Sequence, residues 1–598
     1  MTFEQAIAYI EDFTWSKSRL GLERVRALLH AMDDPQKRLK FIHVAGSNGK
    51  GSTCAMLDSI LRCAGYKTGL YTSPYIQEFC ERIRVNGENI PGDALARITQ
   101  QVREIADSMA DHPSQFELVT AIAMQFFAEQ SCDIVVLEVG MGGALDSTNV
   151  IDSPEAAVIT NIGLEHTEYL GNTLEEIASA KGGIIKPGCT AVCYECAPEV
   201  MRTLKKICGE QGVKYLISAA SDAQGISAGL AGQRFSRKGV LYELPLLGAH
   251  QIRNAAVALE TVDALRARGW EIPEAAVHDG LRNVKWPARF EILSREPLFI
   301  LDGGHNPQCA QALVQNIIDY LPGHKITFLM GVLKDKDYGQ MLDLIEPFAA
   351  KIVCLTPDNP RALSGDELAR LAGERGIPAM SCPSIEEGIL HALQSNEPVI
   401  AFGSLYLAGQ IRTEFSGCLK KQQRRQVLKR RDAIPAQIRQ EKSAAICEHI
   451  RESELYLRAK TIMIYKAFRS EAKLAALENF ARLDGKVLLY PYCIENCRML
   501  ALRPNQPDAW EKDSYGICVP IPEQSESIPP EEIDLVICPC AAFDSAGHRL
   551  GMGKGYYDRF LPRCVNAEIA LAAFSEQRLE LVCTDPHDVI IKNIFTEE

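Results

Sequence analysis

Residues 43 to 52 read His-Val-Ala-Gly-Ser-Asn-Gly-Lys-Gly-Ser, after the apolar pair Phe41-Ile42 and before a helical stretch that starts at Ser52. A buried strand, a glycine-rich turn and a helix in that order place backbone N–H groups and a helix N-terminus around a polyphosphate. Gly46, Gly49 and Gly51 let the backbone come close to a phosphate, where side chains would hold it away. Asn48 lies inside the turn, Lys50 adds a point charge and Ser52 a hydroxyl. The stretch implies an enzyme that consumes ATP, built on a parallel sheet covered by helices.

Working outward, the same rhythm recurs. TGLYTS, DIVVLEVG and AAVITNIG are further buried-strand candidates separated by amphipathic stretches, up to about residue 284. After the Trp286-Pro287 break, PLFILDGG, KITFLMGV, KIVCLTP and PVIAFGS predict a second doubly wound sheet that ends near residue 414. Between 412 and 421, RTEFSGCLKK loses apolar periodicity and turns basic, which reads as a linker before a long charged helix. TIMIYKA, KVLLYPY and DLVICPC then predict a third α/β unit reaching residue 598.

A chain of 598 residues with 46% hydrophobic content exceeds one ordinary core. A formal net charge of −13 argues against a nucleic-acid partner, which needs a clustered basic surface. No apolar run is long enough to span a bilayer, and the start MTFEQAIAYIEDF lacks a signal layout, so no membrane partner and a cytoplasmic location are expected. The twenty scattered cysteines read as reduced thiols. Oligomeric state is not legible in these features.

The Gly51 between Lys50 and Ser52 departs from the general G-x-x-x-x-G-K-[ST] loop and resembles the signature of folylpolyglutamate synthases, of the Mur-ligase-like superfamily. The resemblance continues through Tyr71 to Pro74, Phe79 to Ile83, Leu137 to Gly143, Gly163 to Thr167, Gly248 to Ala255, Trp286 to Arg289, Leu301 to Pro307 and Gly331 to Asp337. It implies that Ser73, Glu138 and His166 hold magnesium, and a hydroxyl and a carboxylate suit a hard cation. Lys181 matches a lysine that the superfamily often carbamylates. Gln251 and Asn254 look like nucleotide contacts, Arg289 like a phosphate clamp, and Asp302 and His305 like contributions from a second domain. Two positions depart from the family pattern: Ala180 stands where a glutamate is usual and Ala144 where an arginine is usual. The implied reaction is ATP-dependent addition of L-glutamate to the γ-carboxylate of a reduced folate. The same motifs suit dihydrofolate synthase, which adds the first glutamate to dihydropteroate.

Near the C-terminus, Ala542 to Arg559 follows the strand DLVICPC and alternates glycines with Arg549 and Lys554. The string resembles 5-formyltetrahydrofolate cyclo-ligase, and Asp513 to Ile517 and Pro586 to Asp588 support the match. It implies an ATP loop of Arg549, Gly551, Gly553, Lys554 and Gly555 with Tyr556 and Tyr557, and phosphate contacts from Lys421 and Arg425, four apart on the basic helix. It further implies Glu471 as the substrate-binding acid and Asp558 and Asp588 as magnesium carboxylates. Lys50, His166, Lys181, Arg289 and His305 at the first site, with Arg549 and Lys554 at the second, form the expected catalytic set.

The expected architecture is α/β throughout: a P-loop Mur-ligase-like ATP-binding domain over 1–284, a Rossmann-like C-terminal ligase domain over 285–414 and a separate cyclo-ligase domain over 415–598. The expected enzyme is bifunctional, uses ATP and Mg2+, and takes reduced folates, L-glutamate and 5-formyltetrahydrofolate. A non-catalytic folate or nucleotide sensor is the alternative for the last domain.

Overall fold

The computed structural model describes residues 1–12, 21–218, 222–495 and 497–598. They form two compact units, one of Met1–Gly388 with Ser395–Arg412 and one of Ile389–Gln394 with Thr413–Glu598.

The strand quoted first, Phe41–Ala45, is buried at every residue, as an unbroken apolar run in a parallel sheet must be. It lies inside an eight-stranded sheet, between Ile134–Glu138 and Ala156–Ile159, both parallel to it. The helix Lys50–Cys63 follows and is buried along most of its length. Its contact with the helix Glu274–Asn283 is backbone-close: a Cβ on Gly280 would stand 2.5 Å from Ile60 Cα, and Ser59 Oγ donates to Gly280 O at 2.7 Å. A small antiparallel sheet of Ala223–Gly229, Gly232–Arg237 and Val240–Leu244 is attached to this layer, an element the sequence reading did not foresee.

The second sheet of this unit has six strands. Leu298–Leu301, Val399–Phe402, Ile326–Met330 and Ala349–Cys354, the four strands predicted from PLFILDGG, PVIAFGS, KITFLMGV and KIVCLTP, run parallel in that order. Glu291–Arg295 adds an antiparallel edge.

In the other unit, Thr461–Met463, Val487–Ile494 and Leu535–Cys538 are the predicted strands, and they are parallel neighbours in a seven-stranded sheet. The stretch 412–421 corrects the sequence reading, because it is helical and lies within Leu405–Asp432. Its buried residues Phe415, Cys418 and Leu419 do follow helical spacing, but that short apolar period ends at the buried Lys420 and the basic run after it. Among the described residues, no helix is long and apolar enough to cross a membrane.

Candidate active sites

Strand register decides which loops meet at the first site. Val44 is paired with Glu138 and Tyr71 with Leu137, so the turn after Ala45, the Glu138 carboxylate and the segment after Tyr71 all open at the C-terminal edge of the sheet. Ligands of open α/β sheets bind at that edge. Gly46 cannot carry a side chain, since its Cβ would fall 1.7 Å from Thr160 Oγ1. Gly49, at φ +86°, turns the chain into the helix, and a Cβ there would meet Asn254 Oδ1 at 2.5 Å. Lys50 Nζ bends back over the turn to donate to Gly46 O at 2.9 Å and Ser47 O at 3.2 Å, while Ser52 is buried in the first helical turn. Asn254 thus packs against the loop, and its amide donates to Gln251 Oε1 at 3.0 Å.

The second sheet reaches the same loop. Asn48 Nδ2 donates to Gln308 Oε1 at 2.8 Å, and Asn306 Nδ2 donates to Asn48 Oδ1 at 3.2 Å. Asp302 accepts from Gly304 N at 2.8 Å and Phe290 N at 2.9 Å, which fixes the turn that carries Arg289 and His305. Arg289 is half-buried and its charge acts on both Glu138 and Asp302. Burial pushes His305 down to about 4, so it is a neutral imidazole, and its Nδ1 lies 3.2 Å from Gly303 O.

Glu138 is 5% exposed and its Oε2 accepts from Ser73 N at 3.1 Å, so two of the three expected magnesium residues meet. Burial raises the Glu138 pKa, with Lys50 and the Ser73 N–H opposing it. His166 is exposed and its charged neighbours are Glu165, Lys336, Lys50 and Lys181. Lys181 is 2% exposed, and its Nζ donates to Glu165 Oε1 at 2.8 Å and to Gly46 O at 3.0 Å. Burial brings this amine down to about 8. Burial also works against the Glu165 carboxylate, but Lys50 and Lys181 more than reverse that and leave it at about 2. Asn161, whose Oδ1 accepts from Asn48 N at 3.1 Å, received no role in the sequence reading, nor did Glu165, Asn306 and Gln308. Glu165 stood in plain view beside His166, and only its pairing with Lys181 gives it weight. A glycine cradle, two lysines, a helix start, a buried carboxylate and a half-buried arginine fit a polyphosphate with a divalent cation.

In the other unit, Arg549 is 4% exposed and its Nη2 donates to Asp558 Oδ1 at 2.6 Å. Its guanidinium lies 5.5 Å from the Tyr557 ring centre. Lys554 is exposed, donates to Tyr515 Oη and sits 4.8 Å over that ring. Gly553 at φ +105° and Gly555 at φ +65° carry the loop towards the half-buried Tyr556. Glu471 is 8% exposed, and its Oε2 accepts from Phe468 N at 2.9 Å.

The basic helix meets this loop one residue earlier than expected. Lys421 and Arg425 are exposed, whereas Arg424 Nε donates to Gly551 O at 2.7 Å and Lys420 Nζ reaches Asp585 Oδ2 at 2.7 Å and Asp588 Oδ2 at 2.5 Å. Asp585, His587 and Asp588 bring potential metal-ligand atoms within 4.8 Å of one another. Asp558, engaged by Arg549, adjoins that segment through Val589 N at 3.5 Å. Arg424→Ala is therefore expected to raise the KM for ATP of any activity at this loop by about tenfold, and Arg425→Ala by less than twofold, because only the first turns its charge inward. Steady-state kinetics of the two variants, with equal effects as the contrary outcome, check this.

Comparison with known proteins decides the class. Residues 44–262 match the Mur ligase middle domain and 288–405 the Mur ligase glutamate ligase domain. The folylpolyglutamate synthase of Lacticaseibacillus casei is 34% identical over 437 residues, covering 70% of this chain and 99% of that protein.

The chain belongs to the folylpolyglutamate synthase family.

The dihydrofolate synthase/folylpolyglutamate synthase of Bacillus subtilis is 35% identical over 429 residues, covering 68% of this chain and 98% of its own. The Escherichia coli FolC structure in complex with DHPP and ADP superposes with a TM-score of 0.62 at 30% identity, over 70% of this chain and 98% of that one. Beyond the synthase part, residues 418–597 match the 5-formyltetrahydrofolate cyclo-ligase family. The protein is an ATP-dependent ligase of the synthase family that carries a cyclo-ligase domain on the same chain.

Proposed function

We propose that the first site extends folate tails and that the second site recycles a formyl folate, both with ATP as substrate. The observation that carries the first half is the convergence of Lys50, Lys181 and Arg289 on the edge where Glu138 and Ser73 meet. Such a site neutralises charge and positions reactants, which is most of what phosphoryl transfer asks of a protein. The folate γ-carboxylate attacks the γ-phosphate of ATP, and the amine of L-glutamate then displaces phosphate from the acyl phosphate to form the amide. Lys50 and Arg289 balance the developing charge. Ser73, Glu138 and His166 would hold magnesium, which supplies further charge neutralisation at the phosphates. Lys181, depressed to about 8 by burial, has an appreciable neutral fraction near physiological pH, which suits carbamylation. Closure of the second sheet's loops on Asn48 would exclude water.

At the second site the N5-formyl oxygen takes phosphate from ATP, N10 attacks and phosphate leaves, giving 5,10-methenyltetrahydrofolate. Arg549, Lys554 and the glycines of 551–555 would bind the phosphates, Tyr556 and Tyr557 would line the pocket, and Glu471 would bind the substrate. Asp558 and Asp588 would serve a magnesium ion there. Substrates common to both sites, reduced folates with glutamate tails, fit a cytoplasmic one-carbon enzyme. The second reading for the first site is dihydrofolate synthase, favoured by the double name of the B. subtilis relative.

The test uses the full chain with ATP, L-glutamate and either tetrahydrofolate or dihydropteroate, reading phosphate release. Release with tetrahydrofolate alone supports tail extension, release with dihydropteroate supports the second reading, and release with neither removes the substrate assignment. With ATP and 5-formyltetrahydrofolate, the absorbance of the methenyl product is expected to rise. A flat trace would leave the sensor alternative.

A further inference from the structure

Arg431 is among the most deeply buried large side chains of the protein, at 1% exposure, yet its guanidinium is only partly satisfied. Nε donates to Ser470 Oγ at 3.0 Å, and Ser470 Oγ in turn donates to Asp432 Oδ1. Nη1 is buried with no partner among the described residues. An unpaired N–H on a buried cation costs free energy, so its retention calls for a reason beyond tying down the turn at Ser470.

The next residue, Glu471, supplies one. Its Oε2 takes the Phe468 N–H, while no bond to Oε1 is found among the described residues. Burial raises its carboxyl, and the Phe468 N–H, followed by the charge of Arg431, limits that rise. Tyr465, Tyr557 and Cys540 also face Glu471, and burial raises each of them so that all three are neutral. Arg549 reaches the same space past Cys540 and Tyr557, and its Nε too is buried with no partner among the described residues.

We propose that Arg431 is a positioning residue of the second site, which keeps Glu471 an anion with a free oxygen for the amino and ring N–H donors of a pterin. The proposal rests on the cyclo-ligase reading for its substrate, and goes beyond it in naming what makes the acid competent. A carboxylate accepts that donor pair, and a protonated carboxyl does so only in part. A lone carboxyl at this depth would favour its neutral form. Its place in the run KRRD, more than a hundred residues before the phosphate loop, hides this role, because there Arg431 looks like one more charge.

The ligand-free full chain, labelled with 13C-glutamate and assigned through Glu471→Gln, reports the carboxyl directly by NMR. Arg431→Met is expected to move the Glu471 titration up by about one pH unit, equal to about a tenfold change in ionisation, while Arg431→Lys stays near the parent. Should the methionine variant not fold, Arg431→Gln, which keeps a donor for Ser470, is expected to show the same shift. In turnover of 5-formyltetrahydrofolate the acid limb of kcat/KM should move the same way, with the loss carried mainly by KM. A Glu471 that titrates alike with and without the guanidinium overturns the proposal. A parent chain that leaves 5-formyltetrahydrofolate unconverted overturns the cyclo-ligase reading instead, and the NMR shift is read independently of it.

Discussion

Lys50→Ala is expected to lower glutamate ligation by roughly 10²- to 10³-fold while leaving the chemistry of the 549–558 loop unchanged. Two effects add. The ammonium that balances phosphate charge is lost, and so are the bonds from Nζ to Gly46 O and Ser47 O that hold the turn. Lys181 also anchors Gly46 O, at 3.0 Å, so the loop retains one of its ties and the chain should fold. Lys50→Arg should recover little, because a planar guanidinium does not fit where a compact ammonium bends back over its own loop. Rates of both reactions on the same preparation check this. Equal loss at the two sites would mean that they are not chemically separate, and an unchanged ligation rate would remove Lys50 from the mechanism.

Arg549→Met is expected to abolish 5-formyltetrahydrofolate turnover and to destabilise its own unit by about 3 kcal/mol, while glutamate ligation persists. The physical reason is burial: at 4% exposure the guanidinium pairs with Asp558 at 2.6 Å, and its removal leaves that carboxylate without a counter-charge. A double variant tells this from a packing defect. If the unpaired Asp558 carboxylate is the cost, combining Arg549→Met with Asp558→Asn recovers part of the lost stability. Thermal unfolding of the single and double variants checks this, and a double variant no more stable than Arg549→Met would assign the loss to packing.

These outcomes separate what sequence carries from what it conceals. The strands PLFILDGG, KITFLMGV, KIVCLTP and PVIAFGS were legible because a parallel strand covered on both faces is a continuous apolar run. The three-stranded antiparallel sheet at 223–244 was not, since its exposed first strand of mostly small residues, AQGISAG, carries no such run. The helix Leu405–Asp432 was read in part as a linker because the apolar period of Phe415, Cys418 and Leu419 is short and stops at Lys420, beyond which buried Gln423 and Arg431 blur it further. The one-residue offset at the second site has a separate cause. Neighbouring positions on a helix differ by about 100°, so the choice between Lys420 with Arg424 and Lys421 with Arg425 is a choice of face that spacing alone leaves open.

By itself, the stretch from His43 to Ser52 determined a strand, a phosphate-ready loop and a helix, because glycine placement and residue chemistry are local properties. The ordered motifs around it determined the family. Only the tertiary structure decided that Lys181 is set against Glu165 and Gly46 O, that Asp558 is held by Arg549, and that the buried Arg431 is bonded to Ser470 with its charge acting on Glu471. Each is a pairing of charges whose energy depends on burial and distance, and neither quantity exists until the chain has folded.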